Sequence, residues 1–270
     1  MFSDIAQYFR TESLPHIWCP GCGNGTVTAA LVRAIKNLQL EQNNVVIVSG
    51  IGCSSRMSGY LDFNTQHTTH GRALAFATGI KLAKPELDVF VVMGDGDCAA
   101  IGGNHLIHAA RRNIDLTALV INNGIYGMTG GQSSPLTPHD RRATTMPFGN
   151  LERSFDLVEL AKAAGATYGA RATAYHNQLL TKLLIDAYNN HGFSLVEAVA
   201  QCPVSYGRRN QFQTPAAMVM WQKEHGIKVG QHSISGEDFY IGEIFRAEAA
   251  EFCAEYDILR QRLQEDMPNG

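Results

Sequence analysis

The chain has 270 residues, with 22 Lys plus Arg set against 25 Asp plus Glu, for a formal net charge of -3. That length suits one large α/β domain with extensions, and 45% hydrophobic residues can bury a full core, which argues against disorder. A near-neutral balance excludes nucleic acid as the main partner, because phosphate binding needs a basic patch. No apolar run approaches the ~20 residues of a membrane span.

Residues 1–15 carry Asp4, Arg10 and Glu12 and no apolar core, so no secretory signal is expected and the default location is cytoplasmic. In that reducing compartment the six cysteines read as metal ligands or buried thiols, not disulfides. Cys19-Pro-Gly-Cys22-Gly23 precedes helical spacing over 26–38. An apolar strand at 44–49 leads into Gly50-Ile-Gly-Cys53-Ser-Ser55. A helix at 73–83 and a strand at 89–93 follow, then Gly94-Asp95-Gly96-Asp97. Next come a helix at 105–112 and a strand at 116–121 that ends on Asn122-Asn123. Helices at 157–164 and 178–188 precede a strand at 194–199, with Cys202-Pro203 just beyond. Continuous apolar strands separated by helices define an α/β fold, a mainly parallel sheet with helices on both faces. Residues 215–223 and 237–263 read as polar helices. The organisation expected is therefore a domain over 1–210 and a helical C-terminal extension over 211–270 that docks on a partner.

The sharpest motif is Gly94-Asp95-Gly96-Asp97 with Asn122-Asn123 one crossover later. Both turns fall at the carboxyl edge of a parallel sheet, where open α/β folds bind ligands. Neighbouring strands ~4.8 Å apart bring the Asp95 carboxylate near the Asn123 amide oxygen, and the Ile125 carbonyl can add a third hard oxygen. Three such oxygens plus two from phosphates suit octahedral Mg2+. A plain Gly-rich turn is the bland alternative. A dinucleotide fingerprint is the sharper one, since Gly94-x-Gly96-x-x-Ala99 follows a strand. Against it, Asp95 would face a bare pyrophosphate, and asparagines stand where a ribose-binding acid belongs. The combined pattern is similar to the diphosphate motif of thiamine-dependent enzymes, a resemblance that makes Asp95, Asn123 and the Ile125 carbonyl the metal ligands.

Cys19, Cys22, Cys53 and Cys202, the last followed by Pro, are compatible with a cubane iron–sulfur cluster. Cys-Pro-x-Cys-Gly also resembles a zinc knuckle, so the cysteines alone leave cluster and zinc open. The thiamine motif favours the cluster, because an electron acceptor has a reason to sit beside that cofactor. Cys98 and Cys253 have no such companions and read as small buried or helix-surface residues.

Taken together, Cys19-Pro-Gly-Cys-Gly23, Ser49-Gly-Ile-Gly-Cys-Ser-Ser55, Thr69-His-Gly-Arg-Ala73, Gly94-Asp-Gly-Asp97, Ile101-Gly-Gly-Asn-His105, Arg111-Arg-Asn113, Asn122-Asn123 and Tyr126-Gly-Met-Thr-Gly-Gly-Gln132 occur in order. The chain resembles the β subunit of the 2-oxoacid:ferredoxin oxidoreductases, most closely the 2-oxoglutarate type, from about Trp18 to about Asn210. The resemblance implies oxidative decarboxylation of a 2-oxoacid with coenzyme A. It implies thiamine diphosphate, Mg2+ and a 4Fe-4S cluster as cofactors, with electrons passing to ferredoxin. Ile51, Gly52, Cys53 and Ser54 would lie at the thiazolium end and His70 against the cofactor. Gly94, Gly96, Asp97, Gly127 and Met128 would cradle the diphosphate, with Thr129 adding a hydroxyl and Asn123 the metal. Cys19, Cys22, Cys53 and Cys202 would hold the cluster. Arg56, three residues past Cys53, is the candidate for a substrate carboxylate, since guanidinium pairs such groups bidentately. Arg208 and Arg209 read as a solvated pair. A second α/β half is missing, so an α subunit is expected to complete the site, in a dimer of αβ pairs. Only 17% of residues are charged, against ~25% in a typical domain, which fits a large covered surface. Pyruvate or a branched-chain 2-oxoacid is the alternative substrate. A zinc-stabilised subunit without chemistry and a nicotinamide-dependent dehydrogenase are the alternatives from other classes.

Overall fold

The computed structural model describes residues 3–231 and 234–265; the extension expected over 211–270 therefore lies partly outside the described residues. After the cysteine loop, helix α1 (Asn24–Asn37) leads to strand β1 (Val45–Ser49). A short helix α2 (Met57–Tyr60), strand β2 (Asn64–His67) and helix α3 (Ala73–Ala83) follow. Strand β3 (Asp88–Gly94) is joined through a π-helical turn at Asp97–Ile101 and helix α4 (Gly103–Arg112) to strand β4 (Leu116–Asn122). A long loop then reaches α5 (Leu157–Ala163), β5 (Tyr168–Thr173), α6 (Asn177–Tyr188) and β6 (Phe193–Val199). The apolar runs predicted as strands are β1, β3, β4 and β6, and the five helices predicted before residue 190 are α1, α3, α4, α5 and α6.

These strands are apolar at successive positions because both faces of the sheet are covered. One core joins α1 and α6 to Ile47, Phe90, Leu119 and Val196. The other joins α3, α4 and α5 to Val48, Val91, Val120 and Leu195. A local signal sets the start of α5. Asp156 caps α5 by accepting from the Val158 and Glu159 N–H groups at 3.1 Å.

The last third departs from the expectation of two helices. Residues 215–223 do lie in a helix, α7 (Pro215–His225), started by Thr214 as cap and Pro215 in its first turn. The 237–263 stretch, however, is strand first and helix second. Two strands, β7 (Gly226–Lys228) and β8 (Phe239–Arg246), precede α8 (Phe252–Glu265). β8 pairs antiparallel with β5, so the eight-stranded sheet runs β2-β1-β3-β4-β6-β5-β8-β7, with every other pairing parallel. The extension is also stitched to the domain beyond that ladder: the Asn113 amide donates to the Ala249 and Ala250 carbonyls, and Cys253 is buried in the second core.

Going out from β1, the chain places β2 on one side and β3, β4 and β6 on the other. Such a reversal opens a crevice at the carboxyl ends of the strands. The loops after β1, β2, β3 and β4 all open into it.

Candidate cofactor site

A cleft of about 260 Å³ lies at that reversal, walled by Ile51–Ser54 after β1, His70 after β2, Gly94–Asp97 after β3, and Asn123 with residues 125–129 after β4. The register brings these loops together. Gly94 is level with Ile121 across β3 and β4, so Asp95 stands beside Asn122, one residue short of Asn123. Every residue expected to contact the thiamine cofactor or its metal lines this cleft.

Asp95 is buried, and its carboxylate accepts a hydrogen bond from the Ser134 hydroxyl. Burial, with the Glu197 charge adding to it, pushes Asp95 up to about 7, although the Ser134 and Gly96 donors oppose the shift. A carboxylate in that position favours a cation beside it. The Asn pair divides its work. Asn122 faces inward, donating to Glu197 Oε1 at 2.7 Å and accepting from the Gly124 N–H at 3.0 Å. Asn123 lines the cleft, its Oδ1 accepting from the Ile125 N–H at 3.2 Å.

Asp97 is a clamp as well as a cleft residue. Its Oδ1 accepts from the Gly71 N–H at 2.6 Å and the Ile51 N–H at 3.4 Å, and it meets His70 Nδ1 at 2.8 Å. One carboxylate therefore fixes the loops after β1 and β2, and its burial holds it above the usual carboxylate range. Gly50 is required here, because a Cβ would lie 2.0 Å from Asp97 Oδ2. With Nδ1 engaged, His70 keeps Nε2 for a ligand.

Tyr126, Ser134 and Glu197 escape the sequence reading. Tyr126 sits inside a recognised motif; its hydroxyl donates to the Gly96 carbonyl at 3.0 Å and its ring packs edge-on to His70. Glu197 is the one charged residue of β6, a visible sign of a buried pair. Ser134 carries no pattern, 39 positions from Asp95. Arg56 is exposed and lies outside the cleft lining, at the end of the 3-10 turn Ser54–Arg56 in which Ser54 and Ser55 are buried. The Thr129 hydroxyl donates to Gln132 Oε1, closing its own loop.

The cysteines assemble behind the β4 loop. Cys202 Sγ and Cys53 Sγ lie 3.5 and 3.7 Å from where a Gly127 side chain would begin. The Gln201 amide donates to the Gly21 carbonyl and the Gly23 N–H to the Gln201 carbonyl, stitching the Cys19–Cys22 loop to Cys202. Trp18 Nε1 ties the same loop to the Cys53 carbonyl. No disulfide forms among these thiols. Burial pushes Cys22 up to about 12 and Cys53 to about 11, and the charges of the neighbouring sulfurs raise both further. Thiols that repel one another as anions match a cationic group between them. Among the described residues no three His, Cys, Asp or Glu side chains close on a single ion, whereas cubane thiolates each take a separate iron and stand apart. Cys98 and Cys253 lie in the core on the opposite face of the sheet.

A model of the C-terminal TPP-binding domain of thiamine pyrophosphate enzymes matches residues 50–198. The fold, the cleft and this match define a thiamine diphosphate-binding α/β domain. The 2-oxoglutarate synthase subunit KorB of Archaeoglobus fulgidus is 53% identical over 263 residues, covering 96% of each chain. That of Methanocaldococcus jannaschii is 48% identical over 265 residues, covering 96% of this chain and 98% of its own. A solved 2-oxoglutarate:ferredoxin oxidoreductase from Magnetococcus marinus, with 2-oxoglutarate, coenzyme A and succinyl-CoA bound, superposes with a TM-score of 0.85. Its sequence is 32% identical, and the match covers 96% of this chain and 90% of that one. The chain belongs to the KorB family of 2-oxoglutarate synthase subunits.

Proposed function

We propose that this chain is the thiamine diphosphate-binding β subunit of a cytoplasmic 2-oxoglutarate:ferredoxin oxidoreductase, converting 2-oxoglutarate and coenzyme A to succinyl-CoA and CO2. The observation that carries the reading is the convergence of the β1, β2, β3 and β4 loops on one cleft backed by the cysteine loops.

When bound, thiamine diphosphate supplies a nucleophilic carbon and an electron sink for decarboxylation of a 2-oxoacid. The protein's part is placement. The Asp95 carboxylate, the Asn123 amide oxygen and the Ile125 carbonyl would hold Mg2+ against the diphosphate; an all-oxygen set suits that hard cation. Backbone N–H groups of Gly96 and Asp97, at the start of the π-helical turn, favour the phosphate charge. His70, oriented by Asp97, presents Nε2. Cys19, Cys22, Cys53 and Cys202 would hold a 4Fe-4S cluster, and Cys53 is also a cleft residue, so a cluster held there would serve as electron acceptor for the cofactor. Cys19 is the exposed thiol of the four and marks an exit towards ferredoxin.

A second chain is needed. About 260 Å³ is small beside the ~300–1,000 Å³ of whole ligand pockets. Around the cleft and the long β4–α5 loop, Met128, Phe148, Leu151 and Phe155 are exposed, Phe148 at 97%. Such apolar surface fits an interface with an α subunit and assembly into a dimer of αβ pairs. No helix among the described residues is long and apolar enough to cross a membrane.

The test is anaerobic co-purification with the α subunit, followed by ferredoxin or methyl viologen reduction with coenzyme A and a panel of 2-oxoacids. Turnover fastest with 2-oxoglutarate is expected; preference for pyruvate or a branched-chain acid would revise the substrate. Zinc in place of equal iron and sulfide would overturn the catalytic reading.

A further inference from the structure

We propose that the buried Glu197 carboxylate, acting through Asn122, is the positioning residue that sets the metal-holding loop Asn123–Ile125; the inference rests on the reading of that loop given above.

Glu197 lies within β6, 3% exposed, and a carboxylate so placed needs partners for both oxygens. The register supplies them. Glu197 stands opposite Arg171 on β5 and opposite Val120 on β4, and Asn122 is two residues further along the same face. Arg171 Nε donates to Glu197 Oε2 at 2.6 Å, and Asn122 Nδ2 donates to Oε1 at 2.7 Å. A carboxylate can only accept, so the Asn122 amide has one orientation. Its Oδ1 must then face the Gly124 N–H, at 3.0 Å. That contact closes the turn from which Asn123 and Ile125 are suspended, and Gly124 (φ 67°) supplies the left-handed step. Arg171 is itself held by Asp156 at 2.7 Å and reaches the Tyr240 carbonyl on β8. The orientation of the loop is thus anchored through three strands.

Polarity makes the idea testable. In E197Q, the new amide oxygen must serve the Arg171 N–H, leaving the amide nitrogen against Asn122 Nδ2, donor to donor. Flipping the Asn122 amide moves the conflict to the Gly124 N–H. In the double variant N122D/E197Q, the introduced carboxylate accepts from both the introduced amide and the Gly124 N–H, and every hydrogen bond is restored with reversed polarity.

The experiment uses the holoenzyme with its α subunit, titrated with Mn2+ in the presence of thiamine diphosphate and read by electron paramagnetic resonance, with thermal midpoints in parallel. E197Q is expected to weaken Mn2+ binding at least about tenfold, and the double variant to recover most of that loss. A merely structural role would lower the thermal midpoint and leave the Mn2+ affinity of folded protein unchanged, which overturns the proposal. So does a double variant as weak as E197Q. Asn122→Ala, which leaves in place the Glu197 charge that also acts on Asp95, is expected to give the same weakening whether or not E197Q folds, and unchanged affinity there overturns the proposal equally. Absence of Mn2+ binding in the unsubstituted enzyme removes the metal reading beneath it, a result distinct from unchanged affinity in a variant.

Discussion

Trp18 donates its indole N–H to the Cys53 carbonyl at 2.6 Å, joining the N-terminal cysteine loop to the loop after β1. Its ring packs edge-on to Tyr60, at 5.1 Å between centroids. Trp18→Phe keeps most of that packing and leaves the carbonyl only the longer bond from the Arg56 N–H at 3.4 Å, a loss of about 1 kcal/mol. In a chain of this size the melting temperature should fall by roughly 2–4 °C, and iron per chain should fall with it. Calorimetry and iron analysis check both; unchanged iron would separate Trp18 from the thiol site.

The cysteines fall on two sides of the sheet, which predicts a contrast. Cys202→Ser is expected to strip iron and sulfide and the brown absorbance of anaerobically purified enzyme. Cys98→Ser, in the opposite core, is expected to retain them. Equal iron content in the two variants would sink the assignment of Cys202.

Asp95→Asn keeps an oxygen for the Ser134 hydroxyl and removes the charge a cation needs. Thiamine diphosphate affinity in the presence of Mg2+ should fall on the order of a hundredfold, about 2.7 kcal/mol. Calorimetric titration of the assembled enzyme reads this directly, and affinity within threefold of the parent would contradict it.

Tyr126 spans the cleft floor, from the β4 loop to the Gly96 carbonyl. Tyr126→Phe removes one hydrogen bond and no ring, so cofactor binding should weaken by about 1 kcal/mol, roughly fivefold. The same titration checks it, and a wild-type affinity would show the hydroxyl to be idle.

His176 gives the pH dependence. Burial, helped by the Lys228 charge, holds its imidazole below the ordinary 6.5. Its Nδ1 meets the Thr173 hydroxyl at 2.9 Å, and its ring lies beside Gly226 at the start of β7. The unfolded chain therefore takes up a proton at a higher pH than the folded one, so this site stabilises the fold above 6.5 and loses that contribution as the pH falls from there through the lower pKa of the folded chain. Proton NMR should give a midpoint below 6.5. In His176→Asn the loss of stability between neutral and mildly acidic pH should be smaller than in the parent.

The central strands and their loops were legible because parallel strands buried on both faces write continuous apolar runs, and glycines and asparagines mark where they stop. The cleft could be read for the same reason: Ile51–Ser54, Gly94–Asp97 and Asn123 each follow such a run directly. β5 was not legible, because Tyr168-Gly-Ala-Arg-Ala-Thr173 breaks any apolar run with small residues and an arginine. Phe245 of β8 packs where a Gly169 side chain would stand, 2.0 Å from its ring. β2 is a polar edge strand, and the acidic stretch around β8 imitates a helix. Arg56 ends a tight turn, where no strand alternation marks the facing of a side chain. Ser134 and Glu197 act through space on Asp95 and Asn122, and only the folded register reveals such pairs.

The antiparallel pairing of β8 with β5 orders events during synthesis. The parallel partner of β5, β6, is synthesised by residue 199, but the other edge of β5 has no cover until residues 239–246 follow. During that interval the nascent chain carries a bare strand, open to pairing with its neighbours on a polysome. Shortening the gene product before β8 would make that exposure permanent, so the carboxyl-terminal segment guards solubility before it serves any subunit contact.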